Sequence, residues 1–217
     1  MVLAPEGRGS IRGSAALVIV AWIGSAVIGG IFLDIAAIFL TLLFGFVVWF
    51  FRDPARVVPE DPDCLVSVGD GLVVGINPLD HVEYLDGPGV QVSIFLNVFN
   101  VHVNRTPMPG VVELHRYQPG RFLNAANHRA SLENEQTVLG IRDGHRKVLV
   151  RQIAGLIARR VICHVGEGDT VSRGQRFGLI KFGSRMDVVV PPDVQIAVQK
   201  GQRVTGGETV IGRFSHE

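Results

Sequence analysis

The dipeptide Gly183-Ser184 combines two residue types that can do chemistry on the chain itself. Because glycine has no side chain, its carbonyl group can be approached closely and its backbone can adopt strained dihedral angles. The Ser184 hydroxyl could attack that carbonyl carbon. The flanking runs 177–182 and 186–190 are rich in apolar residues and predict two strands around a tight turn. Considered alone, a Gly-Ser turn is more often a plain hairpin corner than a reactive site.

Asp70 and His102 are two further candidates for a site because of the residues around them. Asp70 stands between two glycines, where an aspartate most often stabilises a turn. His102 lies in an apolar run that predicts a strand, and alternation along a strand puts its side chain on the same face as Asn100 and Asn104. A lone histidine in a strand is usually structural, but a polar stripe on an apolar strand indicates a functional site.

The overall composition excludes some classes of function. The chain has 217 residues and a formal net charge of +1, so no strong basic field predicts a nucleic-acid partner. Cys64 and Cys163 are far apart and form no CxxC pair, so they are interpreted as buried or incidental thiols. No metal is expected. The length fits one ordinary domain with an appendage.

The appendage, residues 1–51, is almost wholly apolar from residue 13 on, with interruptions near Gly29-Gly30 and Asp34. It is too long for one membrane span of about 20 residues and predicts a hairpin of two short hydrophobic helices. Arginines stand on both sides of it: Arg8, Arg12, Arg52 and Arg56. Positive charge at both ends predicts a cell-membrane protein whose remaining residues lie on the cytoplasmic side. A shallow insertion into one leaflet stays open, because each half is barely long enough to span.

Residues 52–217 predict a mainly β domain, because short β-rich runs alternate with turns of Gly, Pro and Asp. The segment 122–136 predicts one short helix or an ordered loop. The predicted strands are 66–76, 90–99, 111–115, 138–141, 147–153 and 161–165.

An internal repeat occupies the last third of this domain. Residues 165–175 align with residues 198–208, and both have the form of a strand, a glycine turn and a second strand. Such pairs build the flattened β-sandwich of lipoyl and biotinyl domains. Gly183-Ser184 lies between the two copies, where a carrier domain would present a modified lysine. The expected fold is therefore mainly β, a lipoyl- or biotinyl-like sandwich with an N-terminal helical hairpin.

Several motifs occur in the same order as in one known family. They are Trp49-Phe-Phe-Arg-Asp-Pro54, Asp70-Gly71, Asn100-Val-His-Val-Asn-Arg105, Pro119-Gly-Arg-Phe-Leu-Asn124, Glu133-Asn-Glu135, Gln152-Ile-Ala-Gly-Leu-Ile-Ala-Arg-Arg160 and Phe182-Gly-Ser-Arg-Met-Asp187. From about residue 45 on, the chain resembles the phosphatidylserine decarboxylases in their short bacterial and archaeal form. Because the motifs are independent and correctly ordered, the resemblance is more specific than any single motif.

The resemblance implies that Ser184 attacks the Gly183 carbonyl and that the chain cleaves itself between these residues. A β chain, 1–183, and an α chain, 184–217, would then form a heterodimer, and Ser184 would become a covalent pyruvoyl cofactor. This group would form a Schiff base with phosphatidylserine, and loss of carbon dioxide would give phosphatidylethanolamine. The protein would thus be the zymogen of a pyruvoyl-dependent carboxy-lyase of phospholipid biosynthesis. Its partners would be a phospholipid and the membrane, and a higher homo-oligomer is left open.

The resemblance also implies roles for individual residues. Asp70 would be the acidic member of the self-cleavage machinery. The family's longer bacterial forms carry two histidines, three residues apart, in the motif that contains His102; one is linked to decarboxylation and one to self-cleavage. Here Arg105 stands three residues after His102. The base for self-cleavage therefore stays open between His102 serving both steps and another residue, with His115 and His164 as weaker candidates.

Arginines near the matching motifs are candidates for binding the substrate's phosphodiester or carboxylate, or anionic lipid headgroups. Arg105 and Arg185 are the predicted substrate-binding residues. For each of these arginines, a solvated charge at the protein surface is an equally good interpretation. The full set is Arg105, Arg121, Arg159, Arg160 and Arg185.

Two other functions remain to be weighed. The repeat fits a non-enzymatic, membrane-anchored carrier or envelope adaptor with a lipoyl-like domain, but Lys181 precedes the tip at which a modifiable lysine would be needed. A pyruvoyl enzyme acting on a soluble amino acid is a second alternative. The hydrophobic hairpin favours a lipid substrate over it.

Overall fold

A computed structural model of the chain describes residues 2–121, 133–155, 161–181 and 183–215. The chain divides into two compact units, Met1–Ala55 and Arg56–Glu217. The division falls close to the boundary expected between residues 51 and 52. Cleavage of the second unit into two chains stays a prediction.

The first unit is a pair of apolar helices, α1 (Arg8–Ile28) and α2 (Ile31–Phe50). Gly29 and Gly30 separate them, with φ angles of 74° and 107° that favour glycine, so the predicted interruption is confirmed. Both helices are long and apolar enough to cross a membrane by length and composition. The short strands β1 (Val2–Leu3) and β2 (Arg52–Asp53) pair with each other and bring the two ends of the unit together.

Two hydrogen bonds between side chains join the two helices. The Ser25 hydroxyl donates a hydrogen bond to the Asp34 carboxylate, and Trp22 Nε1 donates one to Thr41 Oγ1 at 3.1 Å. Polar groups in an apolar environment are costly unless they are hydrogen-bonded. These pairs therefore explain how the apolar hairpin accommodates the polar residues that interrupt its sequence.

The second unit consists mainly of strands, as predicted, with one short 3₁₀ turn at Glu83–Leu85. All six strands expected from the sequence are present in part or in full. The first is divided by a turn at residues 67–70, and the second ends at Leu96, before the predicted end at residue 99. Most of the segment 122–136 lies outside the described residues. The strands are β3 (Cys64–Val66), β4 (Gly71–Val82), β5 (Gly87–Leu96), β6 (Val103–Arg105), β7 (Gly110–Gln118), β8 (Gln136–Asp143), β9 (Arg146–Ile153), β10 (Val161–Cys163), β11 (Thr170–Val171), β12 (Arg176–Ile180), β13 (Ser184–Val190), β14 (Gln195–Ile196), β15 (Arg203–Val204) and β16 (Val210–Arg213).

Over the described ranges, the strands form one eight-stranded sheet and two three-stranded sheets. The large sheet has the order β11-β7-β8-β9-β13-β5-β4-β15, and its neighbours are antiparallel. The smaller sheets have the orders β10-β12-β6 and β14-β16-β3. Strand β13, which begins at Ser184, is therefore an interior strand of the large sheet, between β5 and β9.

The main core lies on one face of the large sheet, because alternate strand residues point the same way. On β13 this face carries Met186, Val188 and Val190, which belong to the principal buried cluster. The opposite face carries a smaller apolar cluster that contains Val189 and Leu149. Both faces of β13 are thus covered, which explains why all seven of its residues are buried.

The internal repeat has the same backbone conformation in its two copies. Gly168 and Gly201 have φ angles of 89° and 90°, and Gly174 and Gly207 have φ angles of 69° and 79°. The first copy adds β11 to one edge of the large sheet, and the second adds β15 to the other edge. The repeat predicted from the sequence is thus visible in the backbone, whereas the similarity to lipoyl and biotinyl domains stays a prediction.

The Gly183-Ser184 corner differs from the hairpin expected there. Strands flank it as predicted, but β12 and β13 belong to different sheets and do not pair with each other. The chain therefore passes from a small sheet to the large one at this point. The alternating pattern predicts the strands but not their partners, because hairpin pairing is only the commonest arrangement of consecutive strands.

Candidate active site

Ser184 is the first residue of β13 and is fully buried. It pairs with Leu96 on β5, while pairing with β9 begins only at the next residue, Arg185. Among the described residues, the Ser184 hydroxyl has no hydrogen-bond partner. A buried polar group without a partner is costly and is found most often where chemistry needs it.

Gly183, immediately before it, has a φ angle of 70°, a conformation that residues with a side chain rarely adopt. A Cβ added at this position would meet only Val98 Cγ1, at an ordinary 3.7 Å. The backbone conformation rather than lack of space therefore requires glycine here. This agrees with the expectation of an unusual turn at the dipeptide.

His102 lies against this dipeptide and is fully buried. Its Nε2 atom accepts a hydrogen bond from the Gly183 amide at 3.3 Å, and its Nδ1 atom lies 3.0 Å from the Asn100 carbonyl oxygen. Because a backbone amide can only donate, Nε2 carries a lone pair and Nδ1 carries the proton. His102 is thus a neutral imidazole whose basic nitrogen faces the Gly183 end of the dipeptide.

A tight turn, residues 97–100, holds the Asn100 carbonyl in place. The Asn97 amide donates to Asn100 Oδ1 at 2.9 Å, and the Phe99 amide donates to Asn97 Oδ1 at 3.1 Å. The Asn100 amide closes the turn on the Asn97 carbonyl at 2.8 Å. Such side-chain bonds fix a turn in one conformation. Asn100 therefore contacts His102 through its backbone carbonyl. It lies in a turn, whereas the sequence predicted that it shares a strand face with His102.

Asn104, the other member of the predicted polar stripe, is fully buried in the core. Its Nδ2 atom donates to the His102 carbonyl at 3.2 Å, and its Oδ1 atom accepts from Gln152 Nε2 at 2.7 Å. These bonds join the strand that follows His102 to β9. Asn104 is consequently a structural support of the site.

Asp70 precedes β4 and is held by two partners. Arg56 NH2 contacts both carboxylate oxygens at 2.9 Å, and the Gly206 amide donates to Oδ1 at 2.9 Å. Its turn is tied to the strand after His102, because the Arg105 amide donates to the Val68 carbonyl at 2.9 Å. Asp70 is therefore connected to the neighbourhood of His102 through the backbone of its own turn.

Arg56 is a site residue that the sequence analysis missed, because it was interpreted as a charge beside the membrane. Its side chain is only 8% exposed, and besides Asp70 it lies 3.8 Å from Glu208. An arginine that is nearly buried between two carboxylates is bound within the fold and is poorly placed to contact lipid. A signal that could have found it is its position in the Arg52-Asp-Pro-Ala-Arg56 run, directly after the helical segment.

Arg185 points to the opposite face of β13 from Ser184, because the two residues are adjacent in a strand. It is 3% exposed, and its Nε atom donates to Asp187 Oδ1 at 2.7 Å. Its NH2 group contacts Ser93 Oγ at 2.8 Å and Asp187 Oδ2 at 3.2 Å. This geometry gives Arg185 a structural role and does not favour the predicted contact with substrate.

Arg105 is anchored to the first repeat, since its NH1 group donates to the Gly174 carbonyl at 3.0 Å. Its methylene chain packs where a side chain at Gly207 would collide with it. Substrate binding by Arg105 stays a prediction. Arg121 forms an exposed ion pair with Glu133, and Arg159 and Arg160 lie outside the described residues.

The two cysteines are free, with Cys64 buried and Cys163 half-buried. Burial raises the pKa of each thiol. Both are therefore protonated at neutral pH and are poor nucleophiles, since the thiolate is the reactive form. Ser184 and His102 are thus left as the chemically suited groups at the corner.

Comparisons with known proteins identify the family of the chain. A family model described as phosphatidylserine decarboxylase matches residues 43–212. A phosphatidylserine decarboxylase proenzyme of Carboxydothermus hydrogenoformans is 49% identical over 174 residues, covering 80% of this chain and 82% of that protein. Proteins of the same name from Symbiobacterium thermophilum and Geobacter metallireducens are both 41% identical and cover 98% and 97% of this chain, and 96% and 95% of their own lengths. The chain belongs to the phosphatidylserine decarboxylase family.

Proposed function

We propose that this protein is a proenzyme that cleaves itself between Gly183 and Ser184 and then decarboxylates phosphatidylserine to phosphatidylethanolamine. The observation that carries the proposal is the contact of the basic nitrogen of His102 with the Gly183 amide, 3.3 Å away, beside a buried Ser184 hydroxyl without a partner. Family membership from residue 43 to residue 212 supports the same substrate. Self-cleavage at a serine requires a nucleophile, a base and a carbonyl group that the nucleophile can approach.

The cleavage step moves the acyl group of Gly183 from nitrogen to oxygen. Once the Gly183 amide has released it, His102 Nε2 takes the Ser184 hydroxyl proton as Oγ attacks the Gly183 carbonyl carbon. The imidazolium then gives this proton to the Ser184 nitrogen as the peptide C–N bond breaks, which leaves an ester and a free amine. Loss of the Ser184 α-proton then breaks the ester bond between Cβ and Oγ and releases the Gly183 carboxylate. Water replaces the nitrogen of the resulting dehydroalanine, ammonia leaves, and residue 184 ends as a pyruvoyl group.

The position of residue 184 suits such a group. Its side chain is fully buried and has no hydrogen-bond partner among the described residues, so no existing bond is lost when the hydroxyl is converted. A pyruvoyl group supplies an electrophilic carbonyl that condenses with the substrate amine and accepts the electron pair left by carbon dioxide. Two fully buried apolar residues adjoin this position: Leu96, which pairs with Ser184, and Met186, two residues further along the same face of β13.

We propose that His102 serves both steps, because it is the histidine that contacts the Gly183-Ser184 dipeptide. As a neutral imidazole it takes the serine proton during cleavage. As an imidazolium it returns a proton to the substrate carbon that has lost carbon dioxide. Imidazole is the side chain suited to both tasks, because it can take up a proton in one step and release it in another.

Asp70 supports cleavage indirectly in this proposal. Its carboxylate fixes the turn at residues 67–70, and the Val68 carbonyl in that turn accepts the amide of Arg105, three residues from His102. Its carboxylate forms an ion pair with the Arg56 guanidinium, so the two residues act as one unit. We infer that the pair positions the His102 segment rather than contacting the reacting atoms.

The simplest test of the proposal combines chain mass with product analysis. Purified wild-type protein should give two chains, 1–183 and 184–217, the second beginning with a pyruvoyl group. It should also release carbon dioxide from phosphatidylserine. An intact chain carrying an acylated lysine and releasing no carbon dioxide would favour the carrier alternative instead.

The helical pair, α1 and α2, supports membrane association, because both helices are long and apolar enough to span. We propose that the pair holds the enzyme at the cell membrane with the second unit on the cytoplasmic side. Deletion of residues 1–48 should move the protein to the soluble fraction without abolishing self-cleavage, because all site residues lie later. Activity on bilayer substrate should fall more than activity on detergent-dispersed substrate. Sedimentation of the truncated protein with membranes would contradict this prediction.

A further inference from the structure

The turn at residues 97–100 lies beside the reacting dipeptide. Leu96, the residue before the turn, pairs with Ser184. Val98, within the turn, is next to Gly183, because a Cβ built on that glycine would meet Val98 Cγ1 at 3.7 Å. The turn also supplies the carbonyl oxygen that lies 3.0 Å from the proposed base. It is therefore at the same end of the large sheet as the candidate site and contacts it directly.

This end of the sheet must approach the membrane if the proposed substrate is correct. A phospholipid with two acyl chains stays in the bilayer because of the hydrophobic effect. Residue 184 can react with its headgroup only if the end of the sheet at which β13 begins comes to the bilayer surface. The exposed side chains around the turn are thus the ones that meet the lipid.

The side chains exposed at this turn include large apolar ones. Phe99 is 63% exposed and is the most exposed aromatic side chain among the described residues of the second unit. Leu72 on β4 is 37% exposed and lines the same cleft as Phe99. Three hydrogen bonds fix the turn in one conformation, so it presents Phe99 at a defined position. Exposed apolar groups of this kind mark surfaces that contact a membrane or another protein.

The charged side chains beside these apolar groups are positive. Arg203 on β15 pairs with Leu72, is exposed, and forms no ion pair with any described residue. Lys200 is also exposed, and its turn is held on β4 because the Gly201 amide donates to the Val73 carbonyl at 2.8 Å. None of the described residues that line the cleft is acidic. The surface therefore complements an anionic bilayer, whose negative potential attracts lysine and arginine.

The strand residues of this surface point away from the reacting residue. Phe95 pairs with Leu72 and with Arg185, whose side chain is on the opposite face of the sheet from Ser184. The surface is therefore separate from the place where the headgroup reacts. The turn 97–100 connects the two, because it borders both the surface and the dipeptide.

We infer that Phe99, Leu72 and Arg203 form a second membrane-contact surface, which docks on an anionic bilayer with Phe99 inserted among the headgroups. The inference rests on the proposed function and goes beyond it, since that proposal assigns attachment to the helical pair. The contact is weak and reversible, because even a single myristoyl chain binds membranes only marginally. Deletion of residues 1–48 should therefore still release the protein. The surface adds orientation, because it brings the turn beside the dipeptide to the lipid.

The first experiment measures insertion without using the reaction. Phe99→Cys and Tyr117→Cys, as full-length proteins, are labelled with a thiol dye whose emission reports the polarity of its surroundings. Tyr117 is the matched control, because it is an aromatic residue, 56% exposed, on β7, four strands away from β5. The native thiols should react little, because burial raises the pKa of both Cys64 and Cys163.

The labelled proteins are reconstituted in phosphatidylcholine vesicles with or without about one-third phosphatidylglycerol, which is anionic and is not the proposed substrate. For the label at residue 99, we expect emission at shorter wavelength in the anionic vesicles and quenching by lipids with brominated acyl chains. Arg203→Gln and high salt should each reduce the shift, because both weaken the attraction to the membrane. The label at residue 117 should change little in either vesicle.

The second experiment measures the ratio of activity on vesicles to activity on dissolved short-chain phosphatidylserine, per processed chain. Phe99→Ser should lower this ratio about 10-fold, because the burial of an aromatic side chain in lipid is lost. Arg203→Gln should lower it roughly fivefold, the contribution of one basic residue near an anionic surface. Tyr117→Ser and Arg116→Gln remove an exposed aromatic and an exposed cation from β7 and should keep the ratio within about twofold of wild type.

Equal emission changes at residues 99 and 117 would overturn the inference, as would an unchanged activity ratio in Phe99→Ser. An emission change at residue 99 that depends on protein concentration and not on lipid would assign the surface to a second copy of this chain, and would overturn it as well. None of these results would affect the proposed function. Failure of the wild-type protein to cleave itself or to release carbon dioxide would overturn the proposed function and leave the emission measurements unaffected.

Discussion

The two faces of strand β13 differ in how completely their polar groups are bonded. On one face, the Ser184 hydroxyl is buried and has no partner among the described residues. On the other, the Arg185 guanidinium makes contacts with Asp187 and Ser93 through two of its nitrogens. The difference suggests how the fold accommodates the unbonded Ser184 hydroxyl: the next residue, Arg185, is held by hydrogen bonds to Asp187 and Ser93.

The contribution of the Arg185–Asp187 ion pair to stability depends on the cost of burying its two charges. An ion pair that is 3% and 0% exposed adds little net stability compared with apolar residues, but either member alone would be strongly destabilising. We infer that the pair, with the contact of Arg185 to Ser93 on β5, favours the observed register of β13 more than it adds stability. A shift of one residue would turn both charges into the apolar core.

Ser184→Ala tests the reactive face and should have the largest effect. Without the hydroxyl there is no nucleophile, so we expect one full-length chain, no pyruvoyl group and no decarboxylation. The variant should fold, because the lost hydroxyl has no hydrogen bond to lose. Mass spectrometry checks both expectations. Two fragments divided after Gly183 in this variant would refute the mechanism, whereas Ser184→Cys and Ser184→Thr could retain slow cleavage.

His102→Ala removes the base from the same face. General acid–base catalysis is typically worth about 10²–10⁴-fold, so we expect cleavage to slow by that factor. Turnover per pyruvoyl group should fall as well in the molecules that mature. His115→Ala is the matched control, because its side chain is on the exposed part of β7, and it should cleave normally. Normal cleavage and turnover in His102→Ala would make His102 a structural residue.

Asp187→Asn tests the bonded face. It should leave the buried Arg185 charge without its counter-ion and destabilise the fold by about 3–5 kcal/mol. Urea unfolding is compared in the Ser184→Ala background, so that both proteins are single uncleaved chains. Glu113→Gln, which removes a partly exposed partner of Arg142, serves as control and should cost about 0.2–1 kcal/mol. Similar losses in both variants would mean that the two faces of β13 do not differ as described.

Arg56→Gln should have the smallest effect, since Arg56 acts through Asp70. We expect cleavage to slow by roughly 10-fold, the equivalent of one lost charge-assisted hydrogen bond, while turnover per processed chain changes less. Arg56→Lys keeps the charge but loses the bidentate contact and should be intermediate. If Asp70→Asn and Arg56→Gln slow cleavage additively in the double variant, the two residues do not act as a unit.

The sequence predicted the elements of the fold better than their assembly. Alternating apolar runs gave the strands on both sides of Gly183, and the glycine spacing gave the repeat, because both signals are local. The separation of β12 and β13 into different sheets depends on long-range pairing, which local pattern does not encode. The contact between Arg56 and Asp70 was missed for the same reason. A positive charge next to an apolar helix is readily interpreted as a residue that flanks a membrane segment.

One feature of the site could have been inferred from the sequence and was not. Arg185 and Asp187 are two residues apart in an otherwise apolar strand, so they share a face. Two opposite charges on one face of a buried strand predict an ion pair. The motif resemblance led instead to a substrate role for Arg185, which its burial and its bonds to Asp187 and Ser93 do not favour.

The interior position of β13 has a consequence for the mature protein. Cleavage after Gly183, as proposed, would leave the 34 residues from Ser184 on as a separate polypeptide. That polypeptide would keep strands on both sides of it, since β13 pairs with β5 along seven residues and with β9 along five. The two products would then resemble a split protein whose fragments complement each other. They should stay together at any dilution that preserves the fold and separate only when the whole sheet unfolds.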